Sequence, residues 1–134
     1  MSTMTFINLP VKDLAASTAF FTELGFAFDP IFTDENATRM IISEDTSVML
    51  AVEPFFAGFI SPRTIAEPSS QEVVIGVSAD SRAQVDERND AAIAAGAQSL
   101  GDAQDDGFMY MRGFRDLDGH QWSFIYMDMS AVTP

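Results

Sequence analysis

Phe108-Met-Tyr-Met-Arg-Gly-Phe-Arg-Asp-Leu-Asp-Gly-His-Gln-Trp-Ser-Phe-Ile-Tyr-Met-Asp128 is the stretch that decides the fold. Two aromatic-rich runs flank Asp116-Leu117-Asp118-Gly119-His120, and a short Gly-containing gap between such runs predicts a β-hairpin. Alternate side chains of a strand point to opposite faces. Trp122, Phe124 and Tyr126 then form one aromatic face that needs a thick core. Ser123, Ile125 and Met127 form a mixed face that can line a cavity.

Working outward, the remaining chain repeats one order of elements. Thr5 to Leu9 reads as a strand stopped by Pro10, and Asp13 as the cap of a helix, since its carboxylate can accept from first-turn amides. Leu14, Phe21 and Leu24, widened by Phe20, mark the buried stripe, and Gly25 the stop. Strands are predicted over Phe26–Thr33, Thr38–Ser43 and Ser47–Val52. In the second half a strand over Glu72–Ser78 precedes a helix opened by the capping-box pair Ser81 and Gln84. Val85, Ala92 and Ile93 give its inner face and Gly96 its end. Strands over Gln98–Leu100, Phe108–Arg115 and Gln121–Met127 follow. Strand, helix and three strands therefore occur twice, which predicts a duplicated βαβββ unit.

The 134 residues make about one domain. That domain is expected as repeats at 5–53 and 72–128 joined by a linker, 54–71, rich in Pro and Ser but carrying Phe55, Phe56, Phe59 and Ile60. Hydrophobic residues form 47% of the chain, with 12 Phe and 8 Met, enough for a sizeable core. No apolar run is long enough to span a bilayer. Met1-Ser2-Thr3-Met4 shows no secretory start, and Cys is absent, so disulfides and thiolate sites are excluded. A cytoplasmic protein is expected. The net charge of −13 repels phosphate backbones, which argues against nucleic acid and would favour a cationic small molecule.

Leu9-Pro10-Val11-Lys12-Asp13-Leu14, Phe20-Phe21, Leu24-Gly25-Phe26 and Phe114-Arg115-Asp116-Leu117-Asp118-Gly119-His120 together resemble the vicinal oxygen chelate superfamily. Glyoxalase I, extradiol dioxygenases and the bleomycin and fosfomycin resistance proteins are its members. The resemblance runs over essentially the whole chain, with Leu117 where the family's turn carries Pro. It implies an α+β fold of two βαβββ modules, each a curved mixed sheet, around a cavity usually completed in a homodimer. It also implies, in metal-dependent members, a divalent ion gripped by residues of four strands. Carried over by motif, those positions are Phe6, Leu50, Glu72 and Ser123. Phe and Leu offer no lone pair and neutral Ser is a poor ligand. Glu53 has the wrong parity to stand in for Leu50. No metal or other cofactor is expected.

His120, the only His, is expected as a turn residue, because the family's His at this place is no metal ligand. Asp116 and Asp118 lack the further ligands of a calcium loop and read as turn residues too. The expected cavity lining is Phe6, Asn8, Leu50, Val74, Gly76, Ser123 and Ile125, with Glu72 at the rim. Ile7, Met49, Val73, Ile75 and Trp122 would face the helices. A hairpin closed at 116–119 would put Tyr110 and Arg112 opposite Ile125 and Ser123, on the cavity side. The resulting expectation is a metal-independent binding protein of bleomycin-resistance type for a cationic or aromatic small molecule. The alternative is a glyoxalase I-like lyase or dioxygenase-type enzyme with a divergent metal site. A dimeric scaffold without a ligand is the third reading.

Overall fold

The computed structural model describes residues 3–131; Met1 and Ser2, part of the start read for a signal, lie outside them. The chain forms two compact units, Met1–Glu67 and Pro68–Pro134. No helix among the described residues is long and apolar enough to cross a membrane.

In the first unit the elements are β1 (Thr5–Val11), α1 (Leu14–Glu23), β2 (Ala27–Asp29), β3 (Ala37–Ile41), β4 (Thr46–Val52) and a one-turn helix α2 (Glu53–Ala57). The sheet order is β1-β4-β3-β2, with β1 parallel to β4 and the other pairs antiparallel. Asp13 caps α1 by accepting from Ala16 N at 3.0 Å, and Gly25 takes up a φ of 98° past its end. The expected strand over Phe26–Thr33 is cut short. Pro30 opens a 3-10 turn whose first free amide, on Ile31, is taken by the Asp29 carboxylate. Phe20, Phe21 and Leu24 of the helix segment are buried together with Met40, Val48 and Leu50 of the sheet.

The second unit holds β5 (Val74–Ser78), α3 (Arg82–Ala94), β6 (Gln98–Ser99), β7 (Gln104–Asp105), β8 (Met109–Arg115) and β9 (Gln121–Met127). Its order is β5-β9-β8-β6, with β5 parallel to β9 and β7 paired to β8 outside that path. β7 was not anticipated. Two polar residues carry no periodicity, and only pairing to Tyr110 and Met111 makes them a strand. Ser81 caps α3 through Gln84 N, while the Gln84 side chain reaches back to Asp80 N, one residue before the usual capping-box partner. The expected strand at Glu72 begins only at Val74, which leaves Glu72 and Val73 in exposed coil.

In each unit the first and last strands of the sheet pair in parallel, which only a long crossover permits. The result is an α+β fold of two mixed sheets, each with its own helix.

Candidate functional site

Strand pairing fixes which side chains share a face, because partners in register point the same way. On the first sheet, Thr38 borders a hollow with Leu14, Ala15 and Thr18 of α1, so Thr38, Met40, Val48 and Leu50 face that helix. Phe6, Asn8, Arg39 and Met49 occupy the opposite face. The expected lining is corrected here. Leu50 is fully buried on the α1 side, and Met49 takes the place assigned to it. Both parity sets of β4 are apolar, so the sequence did not distinguish them.

Arg39 organises this opposite face. Its Nε donates to Ser47 Oγ at 2.8 Å and its Nη1 to Asp29 Oδ2 at 3.1 Å. Its guanidinium lies within 6 Å of the centroids of Phe6 (5.7 Å) and Phe32 (5.6 Å), so a cation sits between two exposed aromatic rings.

On the second sheet, β8 and β9 pair as Arg115 with Gln121, Gly113 with Ser123, Arg112 with Phe124 and Tyr110 with Tyr126. The loop is five residues, 116–120, because Asp116 N bonds His120 O and Gly119 N bonds Asp116 O. Including His120 shifts the register by one from the expected closure. Tyr110 and Arg112 therefore leave the face of Ser123 and lie on the α3 side. There Tyr110 Oη donates to Asp86 at 2.7 Å, and Arg112 Nη1 to Asp86 and Asp90 at 3.2 and 2.9 Å. The same face carries Phe114 and Phe124, stacked at 5.8 Å, with Arg88 over the Phe124 ring at 4.5 Å. Opposite α3 lie Val74, Gly76, Met111, Gly113, Arg115, Gln121, Ser123 and Ile125. Ser123, 6% exposed, stands between two glycines. A Cβ at Gly76 would meet Ile125 Cδ1 at 2.9 Å, and one at Gly113 would meet Leu100 Cδ1 at 3.4 Å.

Sequence reasoning missed three residues. Asp116, read as a solvated turn acid, is 7% exposed. It accepts from the amides of Asp118 and His120 and from the Trp122 indole. Burial pushes its carboxyl above the ordinary range, against the opposing pull of the His120 charge and those three donors. A carboxylate followed by free turn amides and a buried Trp in need of an acceptor was the available signal. Asn89 is 1% exposed in the inner face of α3, and neither side-chain polar atom finds a partner among the described residues. Arg115 has its Nε sealed from solvent without an acceptor. No sequence pattern marks that.

The four positions carried over for a divalent ion do not fit one. Phe6 has no donor atom, Leu50 is packed against α1, Glu72 lies in exposed coil before β5, and Ser123 is a lone hydroxyl. Met49, which replaces Leu50 on its face, offers only a soft thioether. Glu53 would share Met49's parity but opens α2 instead. Among the described residues no group of three or more His, Asp or Glu could hold a metal ion.

Residues 3–43 match the family described as bleomycin resistance protein-like N-terminal. No curated protein matches the sequence. Of solved structures, a hypothetical protein from S. aureus is similar at 25% identity, covering 94% of each chain with a TM-score of 0.79. A glyoxalase/bleomycin resistance protein/dioxygenase family enzyme from Burkholderia phytofirmans PsJN shares 16% identity over 94% of this chain and 99% of its own, at a TM-score of 0.80. A lactoylglutathione lyase from Agrobacterium tumefaciens shares 18% over 99% of both, at 0.69. The class these folds define is the α+β glyoxalase/bleomycin resistance architecture. The family match covers the N-terminal residues 3–43, and the solved structures show the fold of the whole chain.

Proposed function

We propose that the chain is a metal-independent small-molecule binding protein of bleomycin-resistance type. The observation that carries this reading is the donor set: the positions carried over for a metal hold Phe6, Met49 in place of the helix-facing Leu50, Glu72 and Ser123, which cannot complete a tetrahedral or octahedral shell. The sheet faces opposite the two helices each mix apolar and polar side chains, Phe6 and Met49 with Asn8 and Arg39 on the first and Val74, Met111 and Ile125 with Arg115, Gln121 and Ser123 on the second. Such mixtures can hold a small ligand. Net charge favours a cation at long range. At short range Phe6 and Met49 in the first unit, and separately Val74 and Ile125 in the second, offer apolar surface to an aromatic body.

The test is native mass spectrometry with elemental analysis of protein purified without added metal, followed by melting with nickel, cobalt and zinc. No stoichiometric ion and an unchanged melting temperature are expected. One equivalent per chain, with a large specific shift, would transfer the case to a lyase or dioxygenase, since a ligand that binds only the native state stabilises it. The reading includes a homodimer, because Phe55 and Phe59 are exposed in the first unit and Val73 and Val74 in the second. Light scattering at micromolar concentration decides this, and a monomer removes it.

A further inference from the structure

Arg115 is the anomaly of the second sheet. The chain carries 20 acidic residues against 7 basic ones, yet none of them pairs with this guanidinium among the described residues. Arg115 makes no side-chain hydrogen bond there, and its Nε is shut off from solvent. The other arginines of this unit behave differently. Arg82 forks onto Asp105, Arg112 bridges Asp86 and Asp90, and Arg88 covers Phe124. A buried donor on a charged group without an acceptor is costly and calls for an explanation.

A ligand from solvent reaches the two terminal nitrogens, which are not sealed, and the neighbours show what it meets there. Gln98, Arg115 and Gln121 are directly paired across β6, β8 and β9, so their side chains form one row on the face opposite α3. Neither glutamine amide is engaged in a hydrogen bond among the described residues. Next along the strands come Gly113, Ser123 and Gly76, where Leu100 leans over Gly113, Ile125 leans over Gly76 and Ser123 is buried, and beyond them Met111. From the arginine row to the Met111 row is four residues, about 13 Å of strand. The face thus presents a fork of donors at one end and, beyond it, an apolar surface made by Leu100, Ile125 and Met111.

We propose that Arg115, flanked by Gln98 and Gln121, receives the carboxylate of an otherwise apolar small molecule whose body lies against Leu100 and Ile125, the side chains that cover Gly113 and Gly76. This rests on the small-molecule reading and narrows it. The cation expected from net charge is replaced by an anion recognised locally. Guanidinium and carboxylate match as two parallel hydrogen bonds, and the flanking amides can donate to the outer lone pairs. A phosphoryl group would use the same fork but has no use for the apolar wall.

Calorimetric titration with cinnamate, neutral cinnamamide and inorganic phosphate tests this on the wild type and on Arg115→Gln. Cinnamate should bind saturably, more tightly than cinnamamide or phosphate, and Arg115→Gln should weaken it by about tenfold or more while leaving cinnamamide unchanged. Because Arg115 loses no side-chain partner among the described residues, the variant should melt at or above the wild-type temperature without ligand. Equal binding of cinnamate and cinnamamide by the wild type overturns the anion anchor and leaves the aromatic site standing. Equal binding of cinnamate by both proteins, or phosphate binding as tightly as cinnamate, overturns it as well. Absence of binding by any of the three overturns it together with the aromatic ligand, while the metal analysis judges metal independence separately.

Discussion

The Trp122 indole Nε1 donates to Asp116 Oδ2 at 3.0 Å, tying the first residue of the hairpin loop to the largest buried side chain of the second unit. The other oxygen of the same carboxylate holds the amides of Asp118 and His120, each at 2.9 Å. One side chain thus shapes the loop and fixes a core aromatic.

Asp116→Ala leaves all three donors without an acceptor and should cost more than about 2 kcal/mol in urea unfolding. Asp116→Asn keeps an oxygen for the two amides and opposes only the indole, so it should cost less. A loss below about 0.5 kcal/mol for Asp116→Ala would show that the loop is held by something else.

Asn89→Leu should stabilise the protein. The amide is buried with neither of its polar atoms paired among the described residues, and a leucine, with the same number and branching of heavy atoms, removes that cost while raising helix propensity. A gain of about 1–3 kcal/mol is expected, read as a higher urea midpoint with an unchanged slope. A lower midpoint would mean that the amide has a partner, such as a buried water.

Asp105 is the acid whose titration is displaced downward. The Arg82 fork, then the Gly107 amide, hold its carboxyl at about 2. A depressed carboxylate contributes stability above its unfolded pKa and loses it as pH falls through its folded value, so this pair is lost between the ordinary aspartate range and about 2. Carboxyl-carbon NMR should show that midpoint, and Arg82→Gln should return it toward the ordinary aspartate value. An unmoved midpoint in the variant would remove Arg82 as the cause.

Gly119→Ala should cost about 1–3 kcal/mol, because φ is +88° and the new Cβ would meet Pro68 Cβ at 2.9 Å and Pro68 O at 3.3 Å. Gly101→Ala is the comparison. Its φ is +103° with nothing within 4 Å, so it carries backbone strain alone and should cost less. Equal losses in thermal unfolding would leave the Pro68 contact without effect.

Local chemistry made much of the fold legible. Asp13 and Ser81 cap helices, and Gly25 and Gly96 end them, because each role is decided within a few residues of backbone. Alternation after Gly119 was equally readable, and Trp122 and Phe124 lie buried on the helix side. Features set at a distance were not legible. The loop's fifth residue, His120, moved Tyr110 and Arg112 to the other face, since a slip of one residue flips a strand. Leu50 and Met49 exchanged faces because β4 is apolar on both. Asn89 interrupts the helix stripe with a polar core residue. Arg115 stands out only through which carboxylates fail to reach it.

The parallel pairing of β1 with β4, and of β5 with β9, has a kinetic consequence. Thr5 must find Thr46, and Val74 must find Gln121, before either sheet is complete. No local turn can nucleate those contacts, and the loop entropy is lost before any pairing energy is recovered. The β8–β9 hairpin and the capped helices can form first from near neighbours, with the N-terminal strand of each unit docking last. Each unit therefore folds at the pace of its longest closure, and until then the free edges of β4 and β9 are the surfaces on which a stray strand would pair.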